Sequence, residues 1–171
     1  MVNPAMVPTA DYFRSLDEAV VGVVDVLERH YAEYRDQDLP ELRGVVYGDP
    51  FEVYPNTTIA VIPQEGEIDA DIACGVLRDE ITVVVRYYCK RVEGPGKSNV
   101  YRELVRVRDA LVLLFSDYTT LSTADGAPRV SKSLPKRWTI GALVDQYRTG
   151  EELLVRVCEV ELAIELFAWK H

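Results

Sequence analysis

The chain has 171 residues, 48 % of them hydrophobic and 27 % charged, with a formal net charge of −9. That size and balance point to one globular domain, residues 1–171, able to bury a real core. No stretch approaches the roughly 18 consecutive apolar residues of a membrane span, and "MVNPAMVPTADYF" lacks the basic start and apolar run of a signal peptide.

The charge is uneven: residues 1–80 hold 17 acids and 5 bases, residues 81–171 hold 11 acids and 14 bases. Such a split predicts either two ordinary solvated surfaces or a two-sided molecule whose acidic side meets the basic side of a neighbour. The ten tyrosines, at home in half-wet positions, hint at contact surfaces. Cys74, Cys89 and Cys158 are too far apart for a metal motif and read as free thiols, the last two as small core residues.

In chain order, residues 1–10 with Pro4 and Pro8 read as a loose N-terminal arm. Ser15 and Glu18 have the spacing of a capping box, and Phe13, Leu16, Val20, Val23, Leu27, Tyr31 and Tyr34 form a helical stripe that ends near Arg35. "LRGVVYGD" and "TIAVIP" predict two short strands, the second closed by Pro63, and the polar "QEGEIDADIACGVLRDE" predicts a loop or strand edge. "EITVVVRYYCKRV" is the strongest internal strand, with Ile81, Val83, Val85, Tyr87 and Cys89 on one face and Arg86, Tyr88 and Lys90 on the other.

"EGPGK" predicts a turn, and Ser98 a cap for a second helix whose stripe is Val100, Leu104, Val107, Leu111 and Leu114, widened by Tyr101, Val105, Val112 and Phe115. Residues 117–150 read as an irregular excursion with a short helix from Thr139 to Gly150. The closing "VRVCEVELAIELFAWKH" alternates, with Cys158, Val160, Leu162, Ile164 and Leu166 on one face and Glu159, Glu161 and Glu165 on the other. The expected fold is α+β: a mainly antiparallel sheet, two long helices packed on one face, and a long excursion before the last strand.

Little chemistry is visible. "EGPGKS" lacks the spacing of a phosphate-binding loop, no nucleophile motif is present, and His30 reads as a surface or half-buried helix residue. Asp36, Asp38, Asp69 and Asp71 match no twelve-residue calcium loop and read as solvated acids. No catalytic, metal or cofactor-binding residue is expected.

Two constellations remain. Arg129, Lys132, Lys136, Arg137 and Trp138 read as a solvated loop, a phosphate-backbone contact, or an arm docking on an acidic neighbouring subunit; the docking arm is carried forward. Glu159, Glu161 and Glu165 read as cross-strand partners of Arg86 and Lys90, or as a row lining a passage through a ring, where it would repel DNA phosphates.

The succession "AVVGVVDVLERHYAEY", "RGVVYGDPFEVYPNTTIAVIP", "DEITVVVRYYCK", "ELVRVRDALVLLF" and "RVCEVELAIELFAW" resembles the tail terminator and tail completion proteins of long-tailed bacteriophages, also grouped with head–tail joining (neck) proteins. The resemblance covers roughly residues 15–169 and lies in element order and hydrophobic texture. It implies a structural virion protein that forms a ring, commonly a hexamer, at the head-proximal end of the tail. Its implied partners are further copies of itself, the tail tube protein, the head connector or adaptor proteins, and DNA that passes without specific binding. No membrane is implied, and the implied location is the virion, with the host cytoplasm during assembly. The alternatives are another neck, head-completion or minor tail protein, a small-molecule-binding or catalytic α+β domain with a cleft near Cys89 and Tyr88, and a nucleic-acid-associated factor.

Overall fold

The computed structural model describes residues 15–49, 57–71, 76–89, 100–122, 128–145 and 153–169. The expected arm 1–10, the turn 93–97, Ser98, Lys90, Cys74 and His171 lie outside them. The elements are α1 (Leu16–Tyr34), β1 (Gly44–Tyr47), β2 (Thr58–Asp71), β3 (Val76–Cys89), α2 (Val100–Asp117), β4 (Thr120–Ser122), β5 (Pro128–Asp145) and β6 (Leu153–Trp169).

α1 starts where the capping signal places it. Ser15 has extended backbone, and its Oγ accepts from the Glu18 N–H at 3.2 Å, satisfying one of the four free donors of the first turn. Val20, Val23, Leu27 and Tyr31 are buried as the stripe predicts, whereas Leu16 is exposed. In α2 the five stripe residues and Phe115 are buried, while Tyr101 and Val105 are exposed.

The strands follow the order β1-β2-β3-β6-β5-β4. β1 runs parallel to β2, and every other neighbouring pair is antiparallel, with the three-residue β4 on the first part of β5. Sequence-distant β3 and β6 thus meet at the centre of the sheet. One hydrophobic cluster joins the inner stripes of both helices to Ile59 and Val61, the odd residues of β3 from Ile81 to Cys89, and the even residues of β6 from Cys158 to Leu166. The period of two predicted for both strands therefore sorts their residues correctly.

β2 runs past Pro63, the point at which the sequence suggests it stops. β1 covers only Thr58–Val61 of β2, so among the described residues β2 beyond that point is hydrogen-bonded on one side only, by β3. A proline, which has no N–H to donate, is tolerated at such an edge. A register shift between Pro63 and Glu65 then lets the pairing with β3 continue to Asp71. The polar stretch 64–71, expected as a loop or strand edge, is thus the second half of a 14-residue strand.

Residues 128–145 also differ from expectation: they form an 18-residue strand, and 139–145 are not helical. A register shift between Pro135 and Arg137 breaks the alternation that marks a strand in sequence. Ser133 and Pro135 oppose the core residues Ile164 and Leu162, whereas after the shift Trp138 and Ile140 oppose Val160 and Cys158. The turn before β2 carries Thr57 at φ 64, an unusual value for a β-branched residue. Its N–H bonds to the Tyr88 carbonyl at 3.1 Å and its carbonyl accepts from the Arg43 N–H at 3.0 Å, which holds it there.

Candidate functional site: a graded face of the sheet

Residues of the opposite parity make up the second face of the sheet, and the pairing register orders them into rows. One row is Thr58, Tyr88, Val157 and Gly141; the next is Ala60, Arg86, Glu159 and Thr139. Then come Ile62, Val84, Glu161 and Arg137, followed by Glu65, Thr82, Ala163 and Leu134. The last is Glu67, Glu80 and Glu165. Successive rows lie roughly 7 Å apart, two residues of strand rise.

The face changes character along its length. At one end Ala60, Tyr88, Val155 and Val157 form a second, smaller apolar cluster and are buried. No helix residue contributes to that cluster, so apolar packing here is separate from the main core.

The adjoining row is locked by charge. The Arg86 Nε donates to Glu159 Oε1 at 2.5 Å, and Thr139 Oγ1 donates to the other carboxylate oxygen at 3.2 Å. Arg86 Nη1 stands 3.7 Å from Asp49 Oδ1, and the Tyr88 hydroxyl donates to the same Asp49 oxygen at 3.2 Å. The Arg86 and Glu159 side chains are only 14 % and 21 % exposed, so this pair is a part-buried clamp across β3, β6 and β5. For Glu159 the cross-strand partner foreseen in the sequence is therefore in place. The other foreseen base, Lys90, lies outside the described residues.

Beyond the clamp the face turns acidic. Glu161 is half-buried and opposite Arg137 in register, without an ion pair between them. Glu67 and Glu80 are exposed and Glu165 half-buried, and these three stand side by side across β2, β3 and β6. Carboxylates directly opposite one another in a sheet repel. Glu161 and Glu165 were legible in the sequence as members of this face, whereas Glu65, Glu67 and Glu80 were not. A signal was present, since Glu65, Glu67, Asp69 and Asp71 recur at every second position, the period of a strand with one acidic face.

The five residues assigned to a docking arm do not share one surface. Arg129 and Lys132 lie in β5, but their side chains are outside the described residues. Lys136 sits at the register shift and is exposed; Arg137 belongs to the acidic face. Trp138 lies on the other side of the sheet, where the Arg108 guanidinium of α2 sits 4.9 Å from its ring centre.

Among the described residues the buried polar or charged side chains are Thr57, Thr58, Glu103 and Ser133. Glu103 of α2 is 7 % exposed and accepts from the Tyr87 hydroxyl at 2.7 Å and from the Cys89 thiol at 3.5 Å. Burial, then the bond to Glu103, pushes the Tyr87 hydroxyl well above the ordinary tyrosine range; burial does the same to Tyr31. Burial also raises the Cys158 thiol to about 12. Cys89 and Tyr88 are both fully buried and belong to the clusters on opposite faces of the sheet. His30 is half-buried and stacks on Tyr118 with ring centres 4.2 Å apart.

A concavity of about 400 Å³ lies between the C-terminal half of α1 and β1, lined by Leu27, Tyr31, Arg35, Glu41, Leu42 and Val45. Arg35 there is occupied by the Leu39 carbonyl and Glu41. Among the described residues no group of three or more His, Cys, Asp or Glu is placed to hold a metal ion, and no helix is long and apolar enough to cross a membrane. No protein-family model and no curated protein matches the chain.

Proposed function

We propose that the chain is a structural subunit of a ring at the head-proximal end of a phage tail, ending growth of the tail tube and joining it to the head connector. The observation that carries this reading is the graded sheet face. One end is closed by an apolar cluster and clamped by Arg86–Glu159. The rest presents Glu65, Glu67, Glu80, Glu161 and Glu165 over three neighbouring strands. The acidic end of such a face is unsuited to binding a polyanion and suited to letting one pass, because phosphates near the Glu65 and Glu67–Glu80–Glu165 rows meet like charge.

The architecture supports the same role. The apolar cluster on the graded face takes in no helix residue, which supports a sheet side left to face a lumen. Repeated around a ring, the acidic rows make a continuous negative wall. The long β2–β3 and β5–β6 hairpins give each subunit stiff ribbons to reach its neighbours. The role needs geometry and charge rather than catalysis.

The test is assembly. Purified protein added to growing tail tubes should stop elongation and appear in electron micrographs as a ring on one end. Tubes that elongate without arrest and without a terminal ring would refute the proposal. A charge-reversed face, Glu80→Lys with Glu161→Lys, should leave ring formation intact and slow DNA passage.

A further inference from the structure

Both edges of the sheet have an open stretch. β1 pairs with β2 only as far as Val61, so among the described residues nothing pairs with the outer side of 62–71. At the other edge β4 accompanies the first part of β5, and the Ser133 N–H reaches the Thr119 carbonyl at 2.8 Å. Beyond that bond, among the described residues, the outer side of 134–145 is likewise unpaired. An open edge presents a row of backbone donors and acceptors on which another strand can pair.

The two edges differ in sign on the graded face. Glu65 and Glu67 of β2 and Arg137 of β5 belong to that face, and all three are exposed. None of them makes a hydrogen bond or ion pair with any described residue. β3 and β6 lie between them, so Arg137 stands roughly 14 Å, three strand spacings, from β2 of its own chain. On the helix side the same edges are apolar. Trp138 of β5 and Ile68 of β2 are 49 % and 69 % exposed, and Gly66, two residues before Ile68 on that side, presents no side chain.

β2 and β6 both run antiparallel to β3, and β5 runs antiparallel to β6, so β5 runs antiparallel to β2. A second copy turned about an axis along the strands keeps both its strand directions and its faces. Its β2 can then lie antiparallel to the β5 of the first. We infer that the open edge of β5 pairs with the open edge of β2 of a second copy, continuing the sheet from subunit to subunit. The register that sets Arg137 against Glu67 also sets Thr139 against Glu65 and Trp138 against Gly66, with 134–142 alongside 62–70. Arg137 then has Glu67 opposite and Glu65 on the diagonal, while Trp138 fills the space that Gly66 leaves and reaches the diagonal Ile68. Two β2 edges would instead set acid against acid, so pairing of like edges is disfavoured. The contact is head-to-tail, and repetition makes a ring or a helical filament. The inference rests on the ring reading for its biological setting, but the self-contact stands or falls by itself.

The experiment measures backbone hydrogen exchange of the full chain by mass spectrometry over a range of concentrations, with and without tail tubes. As copies associate, the amides of 62–70 and of 134–142 should gain protection together. In parallel, native mass spectrometry follows association of the wild type and of variants with unchanged thermal stability. Arg137→Glu turns a cross-strand attraction into a repulsion and should weaken association ~10-fold. Glu67→Arg should weaken it similarly, and a chain carrying both changes should recover it. Association that protects neither edge, association indifferent to the single reversals, a double variant as weak as the single ones, or copies that stay apart even on tubes would overturn the inference. Tubes capped by a protein whose two edges stay unprotected would leave the ring reading standing and remove this contact. Edges protected together in a protein that caps no tube would do the reverse.

Discussion

Replacing Tyr87 by Phe removes one oxygen atom from the core and keeps the ring. The site is 1 % exposed, and its hydroxyl donates at 2.7 Å to Glu103, itself 7 % exposed. Water has little access to take the place of the lost donor. A hydrogen bond to a charged group is worth about 1.5–3 kcal/mol, and loss of one partner leaves the other unsatisfied at full desolvation cost. The Cys89 thiol remains at 3.5 Å, a weaker donor, so the expected loss is about 2 kcal/mol. For a domain of this size that corresponds to a fall in melting temperature of roughly 4–8 °C. In urea it is a midpoint shift of about 1 M for a slope near 2 kcal/mol per M. The assay is urea denaturation at pH 7 followed by far-UV circular dichroism. A double-mutant cycle with Glu103→Met sharpens it. Removing both partners should cost clearly less than the two single losses added together, a coupling of about 1 kcal/mol or more. Single losses that simply add, or a Tyr87→Phe midpoint within about 0.2 M of wild type, would refute the view that the pair is a desolvated, mutually dependent unit.

Three other expectations follow from the same structure. Gly66→Ala puts a Cβ 2.7 Å from Asp79 Oδ1 and 3.0 Å from the Ile81 side chain, so stability should drop by about 1–3 kcal/mol; an unchanged denaturation midpoint would disprove the tight β2–β3 approach. Glu80→Gln removes the central charge of the Glu67–Glu80–Glu165 row and should stabilise by a few tenths to about 1 kcal/mol, with the gain shrinking in 1 M salt. Stability should also fall as pH rises above about 9. The unfolded chain releases protons from Cys158 near 9.0 and from Tyr31 and Tyr87 near 10.0, whereas the folded thiol holds its proton to about 12 and the two folded hydroxyls hold theirs well above the ordinary range. Each such group has a raised folded pKa, so its contribution is complete below the unfolded value and is lost at up to about 1.4 kcal/mol per pH unit above it. A flat urea midpoint between pH 8 and 11 would contradict this.

The two helices, the cap at Ser15, and the inner and outer faces of β3 and β6 were legible in the chain alone. Those features are governed by interactions between residues a few positions apart, at a period of two or 3.6, and such periods are written in the chain. It also put Glu159, Glu161 and Glu165 on one face. Tertiary structure alone decided what that face means. The register that sets Glu159 against Arg86 and Glu165 against Glu80 joins residues more than seventy positions apart, and no local pattern encodes it. Pro63 and Pro135 read as strand breakers in isolation, but they sit at strand positions next to register shifts, which the missing N–H tolerates. Arg137 and Trp138 lie on opposite sides of the sheet by ordinary alternation, but the register shift before them decided which of the two joins the acidic face. Which side a strand residue faces depends on every bulge before it, and a bulge is fixed by the partner strand rather than by the residues that form it.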